Sequence, residues 1–561
     1  STRVRSSAAS DVYKRQRLYG DDTYARINVA KIKRIEILNG ASSALYGTNA
    51  IGGVINIITD DVKNAINVSS DTRYASKGRF TQSVNIDVNT GKFGSYTSYR
   101  RQQAEGWQLN PYEENSKTHE LEETGKVAST GFYANTVNQK FTFDATDKLS
   151  FYARGGYYDN KTRRPYEAYD YNILHETFNY GIGAQYMINK GNYITADCYA
   201  DHFSSSYCFF KDNKTYNGKA GEEQVRKRTR NHNLSIKGIF KLGNRHKLSV
   251  GTEYIVDVLK SQTDNIAKED AYTLALFAQD EIKLLRNLQA LIGVRYIYHE
   301  NFKNHATPNV ALMYKPGKFN FRASYAAGFR TPTLSELYAT DIAKKNDRLT
   351  IGNLDLKPEK NNYFSLSAEY VHERFSVSVN AFYNNIRDMI DYNTIATGDK
   401  AMEQYGHKEV RQRDNIAEAK VHGINVSANA YLGAGFNLSG GYTHLNTQDV
   451  ELEQPIDKSI KNAYNINAQW AHSWKIYRLN INLNGRFNSK RFSKSYGYAP
   501  EYQLWDLNTR HSFNLKSVII EPGCGMENLF DYMDDRPYNS NYATLTPGRS
   551  FYISLSLKFK S

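Results

Sequence analysis

Nowhere does this 561-residue chain hold an apolar run near the ~20 residues that a membrane-spanning helix needs. Its mean hydropathy of −0.65 agrees, and a helical membrane protein is excluded. A membrane barrel is not, because barrel strands alternate apolar and polar residues and average to polar in any window. Prolines number only 11, and no Pro/Gly/Ser-rich linker separates one block from the next. One large architecture therefore fits better than the several soluble domains such a length would suggest. The three cysteines, Cys198, Cys208 and Cys524, are odd in number and lack metal-ligand spacing. Cys198 and Cys208 stand close enough in sequence to meet across a local bend. Also missing are a Gly-x-Ser-x-Gly elbow, an HExxH pair, a P-loop and a dinucleotide fingerprint, so no enzyme and no cofactor is expected.

What is abundant is tyrosine: 44 Tyr and 26 Phe against 4 Trp, an aromatic load of the kind barrels gather at both membrane interfaces. The formal charge of +14 is dispersed and not gathered in one stripe, which argues against nucleic acid. Loop-borne charge on an outer surface would instead meet the anionic phosphates of lipopolysaccharide. From about Ala65 onward the chain alternates in segments separated by Gly-, Asn-, Asp- and Lys-rich turns, clear examples being 80–88, 149–158, 246–257, 287–298, 374–385, 435–444 and 476–487. Roughly 22 such segments are expected, the number of a plugged outer-membrane transporter. Tight turns at 89–91, 144–147 and 189–191 contrast with longer polar insertions at 104–130, 159–175, 204–222, 258–269, 339–360, 387–417, 446–460 and 488–500. Two unlike faces follow, the long loops being extracellular.

One stretch is more specific. Lys33 to Asp60, KRIEILNGASSALYGTNAIGGVINIITD, reads as strand, one or two helical turns at Ala41–Tyr46, then a β-branched strand after Gly52-Gly53. It resembles the closing segment of the plug domain of TonB-dependent outer-membrane receptors. Arg34, Glu36, Gly40, Tyr46, Gly47, Gly52 and Gly53 fall on the motif, and Lys33, Asn39 and Ala41 depart from it. Further along, FAQDEIKL followed by GVRY is similar to a recurrent strand pair of these receptors. The runs Gly328–Tyr338 and Asn353–Lys360 resemble two of their barrel boxes, carried here by Phe329, Arg330, Pro332 and Glu336 and by Asn353, Leu356, Pro358 and Glu359. The chain closes on FYISLSLKF, whose period of two places Phe551, Ile553, Leu555, Leu557 and Phe559 on one face. Lys560-Ser561 follow where the family usually ends on an aromatic.

The resemblance implies an all-β membrane protein: a 22-stranded antiparallel transmembrane β-barrel over 65–561, and the C-terminal remnant of a plug domain over 17–64. Residues 1–16, STRVRSSAASDVYKRQ, have no apolar core for export and read as a foreign or disordered start. Most of the plug and the box that contacts TonB would then be missing. The resemblance further implies a gate in which the plug residues Arg34 and Glu36 meet charges on the barrel wall. Glu281 and Glu369 are the candidate wall partners, since each falls on the polar face of its segment, Tyr363, Ser365, Ser367 and Glu369 alternating with Phe364, Leu366 and Ala368. Energy would come from a TonB-type coupling complex, and the localisation would be the bacterial outer membrane.

The expected function is active uptake of a scarce bulky nutrient, an iron complex such as a ferric siderophore or haem, with cobalamin as the alternative. A passive porin or a barrel hydrolase ranks below both. Haem receptors of the family place a His between the two boxes, and this chain has none there; His299, His305, His407 and His444 remain as axial candidates. Tyr166, Tyr169, Tyr171, Arg411 and Arg413 would suit an anionic ferric chelate through stacking and cation–π contacts. The partners expected are this metal chelate or a corrinoid, the coupling complex, the outer membrane with its lipopolysaccharide, and a surface lipoprotein as a candidate. Nucleic acid is not among them.

Overall fold

The computed structural model describes residues 2–5, 32–39, 53–59, 65–115, 118–343, 347–494, 496–541 and 546–560. Alternation dictates its shape. A chain that buries every second residue can satisfy its backbone groups within a membrane only by pairing each strand on both sides, and that requires a closed sheet. A closed antiparallel barrel of 22 strands results. Its seam joins the last strand, Ser550–Lys560, to the first, Ile66–Ala75, with Tyr552 opposite Ala75 and Lys560 opposite Asn67. No strand edge of the barrel is left open.

The alternation has a clear inside and outside. Along Ile266–Leu285, Thr273, Ala275, Phe277 and Gln279 are buried toward the lumen, while Leu274 and Leu276 point outward and are 42% and 54% exposed. The closing strand behaves alike, with Phe551, Ile553, Leu555 and Phe559 outward. Outward aromatics gather in two belts. On the short-turn side Phe319 meets Tyr370 at 4.9 Å, and Trp474 stacks on Tyr477 at 5.5 Å. On the loop side Tyr254, Tyr272 and Tyr298 form a row at 5.9 and 6.1 Å.

Short turns on one face are tight by construction. In Asn89-Thr90-Gly91, Gly91 adopts φ +90°, a backbone that L side chains rarely take, and its N–H donates to Asn89 Oδ1 at 2.8 Å. On the other face the strands run longer than their alternation suggests. The insertion expected at 387–417 is mostly ladder: Phe375–Thr397 and Glu409–Gly433 pair beyond the membrane, linked by the helix Gly398–Tyr405. The insertions expected at 159–175 and 204–222 shrink in the same way to 164–170 and 210–222. The physical reason is length. A membrane needs ~9–11 residues per strand, whereas these strands reach 25, and above the membrane both faces meet water and lose the alternation.

One expectation about cysteine is corrected. Cys198 and Cys208 lie on a single continuous strand, Asn192–Phe209, so no bend brings them together, and both are free thiols. Separate from the barrel is a three-stranded antiparallel sheet in which Gly53–Thr59 lies between Ile32–Asn39 and Thr2–Arg5. Residues 2–5, which the sequence sets apart from the plug segment, thus pair with Val54–Ile57 within it. The helical turns expected at 41–46 lie outside the described residues.

Candidate gate and ligand-facing rim

The two boxes, separated in sequence by residues 339–352, come together on one cation. Arg330 ends the strand Phe319–Arg330, and Glu359 begins the strand paired with it. The Arg330 guanidinium donates to both Glu359 oxygens, Nε at 2.7 Å and Nη2 at 2.6 Å, and through Nη1 to Glu336 at 2.8 Å. All three side chains are buried. Two carboxylates on one guanidinium leave a negative remainder, which backbone donors meet. The N–H of Ile390 donates to Glu359 at 2.9 Å and that of Thr333 to Glu336 at 2.9 Å. The second of these belongs to a capping box, with Thr333 Oγ1 accepting from the Glu336 N–H at the start of the short helix Leu334–Tyr338.

Apolar neighbours seal the cluster. Leu356 packs with Leu337 and Ile390, and Phe329 with Ala275 and Ile297, its ring stacked on His305 at 5.0 Å. Pro332 and Pro358 are buried at the two ends of the intervening loop. Asn353 donates its N–H to the carbonyl of Glu336 at 3.1 Å and closes the loop onto the helix. Such an arrangement braces the root of a long loop.

Of the gate residues, Arg34 and Glu36 lie on the strand Ile32–Asn39 opposite Ile58 and Asn56, and Gly53 opens the strand beside it. Gly40, Tyr46, Gly47 and Gly52 fall outside the described residues, as do the side chains of Arg34 and Glu36. Glu281 and Glu369 both project inward near the short-turn end. There Glu281 pairs with Lys247 at 2.9 Å, and Glu369 accepts from Asn320 at 3.0 Å with Arg322 at 3.6 Å. Their described partners are wall residues, and each pair is solvated. A more deeply held pair escaped the sequence reading. Arg295, in the GVRY segment, bonds Glu253 across the intervening strand, both fully buried on the lumen side, with its guanidinium 5.3 Å from the Phe277 ring. An Arg at an inward position of a barrel strand was the available signal.

At the loop end, cations and aromatics interleave. Tyr171 and Tyr207 stack at 4.1 Å, and Tyr216 meets Tyr207 edge-on at 5.2 Å. Arg164 lies over Tyr169 and Tyr171 at 4.6 and 5.1 Å; Arg226 covers Tyr216 and Tyr207 at 4.9 and 5.4 Å. Lys211 sits 3.8 Å from the Tyr166 ring. Tyr171 shares the inward register of buried Thr177, opposite the outward Phe178 and Tyr180, so this patch faces the mouth. Burial, with Tyr169 second, pushes the loop phenol of Tyr538 up.

Arg411 and Arg413 sit elsewhere. Arg413 lies 3.5 Å over Tyr392 and donates to its hydroxyl, while Arg411 is held by Glu409. Two of the four candidate histidines come together, His299 and His305 lying on the lumen face of two paired strands with His305 opposite Ile297, while His407 and His444 lie elsewhere. His299 accepts from the Asn301 N–H, His305 is held at the carbonyl of Phe302, His407 pairs with Asp347 at 2.9 Å, and His444 bonds Asn462. The His407 hydrogen bond holds the Asp347 carboxyl below its ordinary range.

With this geometry in hand, comparison with known proteins is informative. Residues 80–521 match the family model described as TonB dependent receptor-like, beta-barrel, and residues 11–54 match the TonB-dependent Receptor Plug Domain. Among solved structures, a mutant of the ferric enterobactin receptor PfeA from Pseudomonas aeruginosa superposes with a TM-score of 0.81 at 17% identity, over 95% of this chain and 86% of that one. The siderophore receptor PirA from Acinetobacter baumannii gives 0.76 at 16% identity, over 95% and 86%. The FrpB iron transporter from Neisseria meningitidis gives 0.73 at 14%, over 95% and 88%. At these identities the likeness is one of fold.

Proposed function

Because the chain belongs to the TonB-dependent receptor family, whose barrels sit in the bacterial outer membrane, we propose that it is an active importer of an iron chelate, a ferric siderophore of anionic and aromatic character. The observation that carries this reading is the inward cation–aromatic patch of Arg164, Tyr169, Tyr171, Tyr207, Tyr216 and Arg226. Flat phenol rings backed by guanidinium groups supply stacking surface and positive charge together, which is what an anionic chelate of aromatic arms requires. The structural neighbours named for siderophores and iron lend the same reading support.

Transport needs a gate as well as a site. Solvated wall pairs such as Glu281–Lys247 and Glu369–Arg322 each contribute only ~0–1 kcal/mol. Charges held so lightly can exchange partners with the plug under a modest pull. That pull is assigned to TonB, and Arg34 and Glu36 to the plug side of the latch. The buried Arg330 cluster, by contrast, keeps the wall and its loop root in place while the plug moves. Growth of a receptor-deficient strain on defined iron sources tests the proposal: a ferric catecholate should restore growth in iron-limited medium. Rescue by cobalamin or haem instead would replace the ligand assigned here.

A further inference from the structure

The short-turn face of the barrel is basic. Every turn on it except Ala434-Gly435 carries a lysine or an arginine, whereas Asp147 and Glu373 are the only carboxylates between its strands. Three neighbouring turns concentrate this charge, with Arg286 in the first, Lys315 and Lys318 in the second and Arg374 in the third. Backbone bonds lace them together: the Lys315 N–H donates to the carbonyl of Asn287 at 2.7 Å, and the Val371 N–H to that of Lys318 at 2.9 Å. With strands ~5 Å apart, Lys315 and Lys318 stand one spacing from each other and Arg374 two spacings further on. All four cations are exposed, and among the described residues none has a carboxylate partner, Glu373 beside Arg374 included. Lumen-facing lysines at the same end are paired by contrast, Lys247 with Glu281 at 2.9 Å and Lys558 with Glu521 at 2.7 Å.

Just inside these turns the lipid-facing wall is notched. Ala323, Ala368 and Ala381 take outward positions on three successive strands, where Phe321 stands opposite Ala368, and Leu366 opposite both Ala323 and Ala381. With Leu312 and Tyr314 they line a groove of about 450 Å³. Methyl groups set among rings and leucines leave a channel that a flexible hydrocarbon chain can fill. We propose that groove and cations together are a docking site for an anionic phospholipid of the periplasmic leaflet, one acyl chain lying over the three alanines and the phosphate accepting from Lys315, Lys318 and Arg374. Charge complementarity selects the headgroup: cations without carboxylates at the end of a lipid-facing wall call for an anion anchored in that leaflet. The groove selects an acylated anion over a soluble one, and the short-turn position selects the periplasmic leaflet over the outer one. The site rests on the outer-membrane placement above and lies at the opposite end of the barrel from the chelate patch.

The test uses the full barrel purified in mild detergent, with phosphatidylglycerol, phosphatidylcholine and glycerol phosphate as probes and native mass spectrometry to count what is bound. Phosphatidylglycerol should bind the wild-type chain and raise its melting temperature. Phosphatidylcholine, which has no net charge, and glycerol phosphate, which has no acyl chain, should do neither. Lys315→Ser/Lys318→Ser/Arg374→Ser should bind phosphatidylglycerol on the order of a hundredfold more weakly, while Lys315→Arg stays near wild type. Ala323→Phe/Ala368→Phe, which fills the groove and keeps every charge, should weaken binding too. Iron-chelate binding should be the same in all of them, so a failure of this site is distinguishable from a failure of the transport reading. Equal binding of phosphatidylcholine would remove the cations from recognition, and equal stabilisation by glycerol phosphate would remove the groove. Either result overturns the proposal, and both are read on the wild-type protein, so they stand even if a variant does not fold.

Discussion

A single guanidinium does most to hold the loop-side wall together. Arg330 satisfies two buried carboxylates at once, and removing it would leave both Glu336 and Glu359 charged in a site closed to water. Arg330→Met should therefore lower barrel stability by about 3–5 kcal/mol, read as an earlier denaturant midpoint and loss of heat-modifiable migration on gels; Arg330→Lys should fall between, having lost the bidentate fork. The residues of the mouth should behave differently, because they hold ligand and not fold. Arg164→Ala with Arg226→Ala should weaken chelate binding by roughly 1–3 kcal/mol in all, measured by fluorescence titration, with the melting temperature unchanged. The Asp347–His407 contact adds a pH dependence. Since the hydrogen bond depresses the Asp347 carboxyl, its stabilisation is fully present above the ordinary value of 3.8 and is lost as pH falls through the lower folded value. Amide exchange at 398–408 should accelerate below about pH 3.8 in the wild type, and Asp347→Asn should remove that step.

Within a strand, adjacent residues face different solvents, so neighbouring substitutions should have opposite consequences. On Glu359–Val371, Leu366 points to lipid and Ser367 to the lumen. Leu366→Arg should cost about 2–4 kcal/mol in assembly and reduce folded yield in vesicles, whereas Ser367→Arg should fold normally. Close approach imposes a different constraint on Glu409–Gly433. A Cβ at Gly423 would come 2.2 Å from the carbonyl oxygen of His444, so the ladder between these strands admits only glycine there. Gly423→Val should break pairing with Phe436–Asp449, visible as increased protease cleavage near 444.

At the scale of the whole molecule, the barrel combines firmly held and lightly held charges. The closed ladder and the buried Arg330 and Arg295 pairs hold the wall, while the inward pairs near the short turns are light enough to be exchanged. Arg34→Ala should accordingly raise the entry of large antibiotics while whole-cell chelate affinity stays nearly constant; unchanged permeability would count against a latch centred on this residue.

Much of this was already written in the chain. A period of two over hundreds of residues, short turns alternating with long insertions, and a closing FYISLSLKF strand dictate an antiparallel barrel, because in a membrane only closure satisfies every backbone group. Resemblance to the TonB-dependent receptor family, carried by short local motifs, also singled out the plug segment and the two boxes. What composition could not convey is which side chains share a site when they lie far apart in sequence. That Arg330 binds Glu359 and Glu336, that Arg295 reaches Glu253 across a strand, and that the strands run past the membrane where alternation fades were decided by register alone. The same register laced the turns of Arg286, Lys315 and Lys318 along one rim and gathered Arg164, Tyr171 and Tyr207 at the mouth. Periodicity is a property of neighbours along the chain, whereas a charge finds its partner across the ladder, and that distance exists only once the sheet has closed.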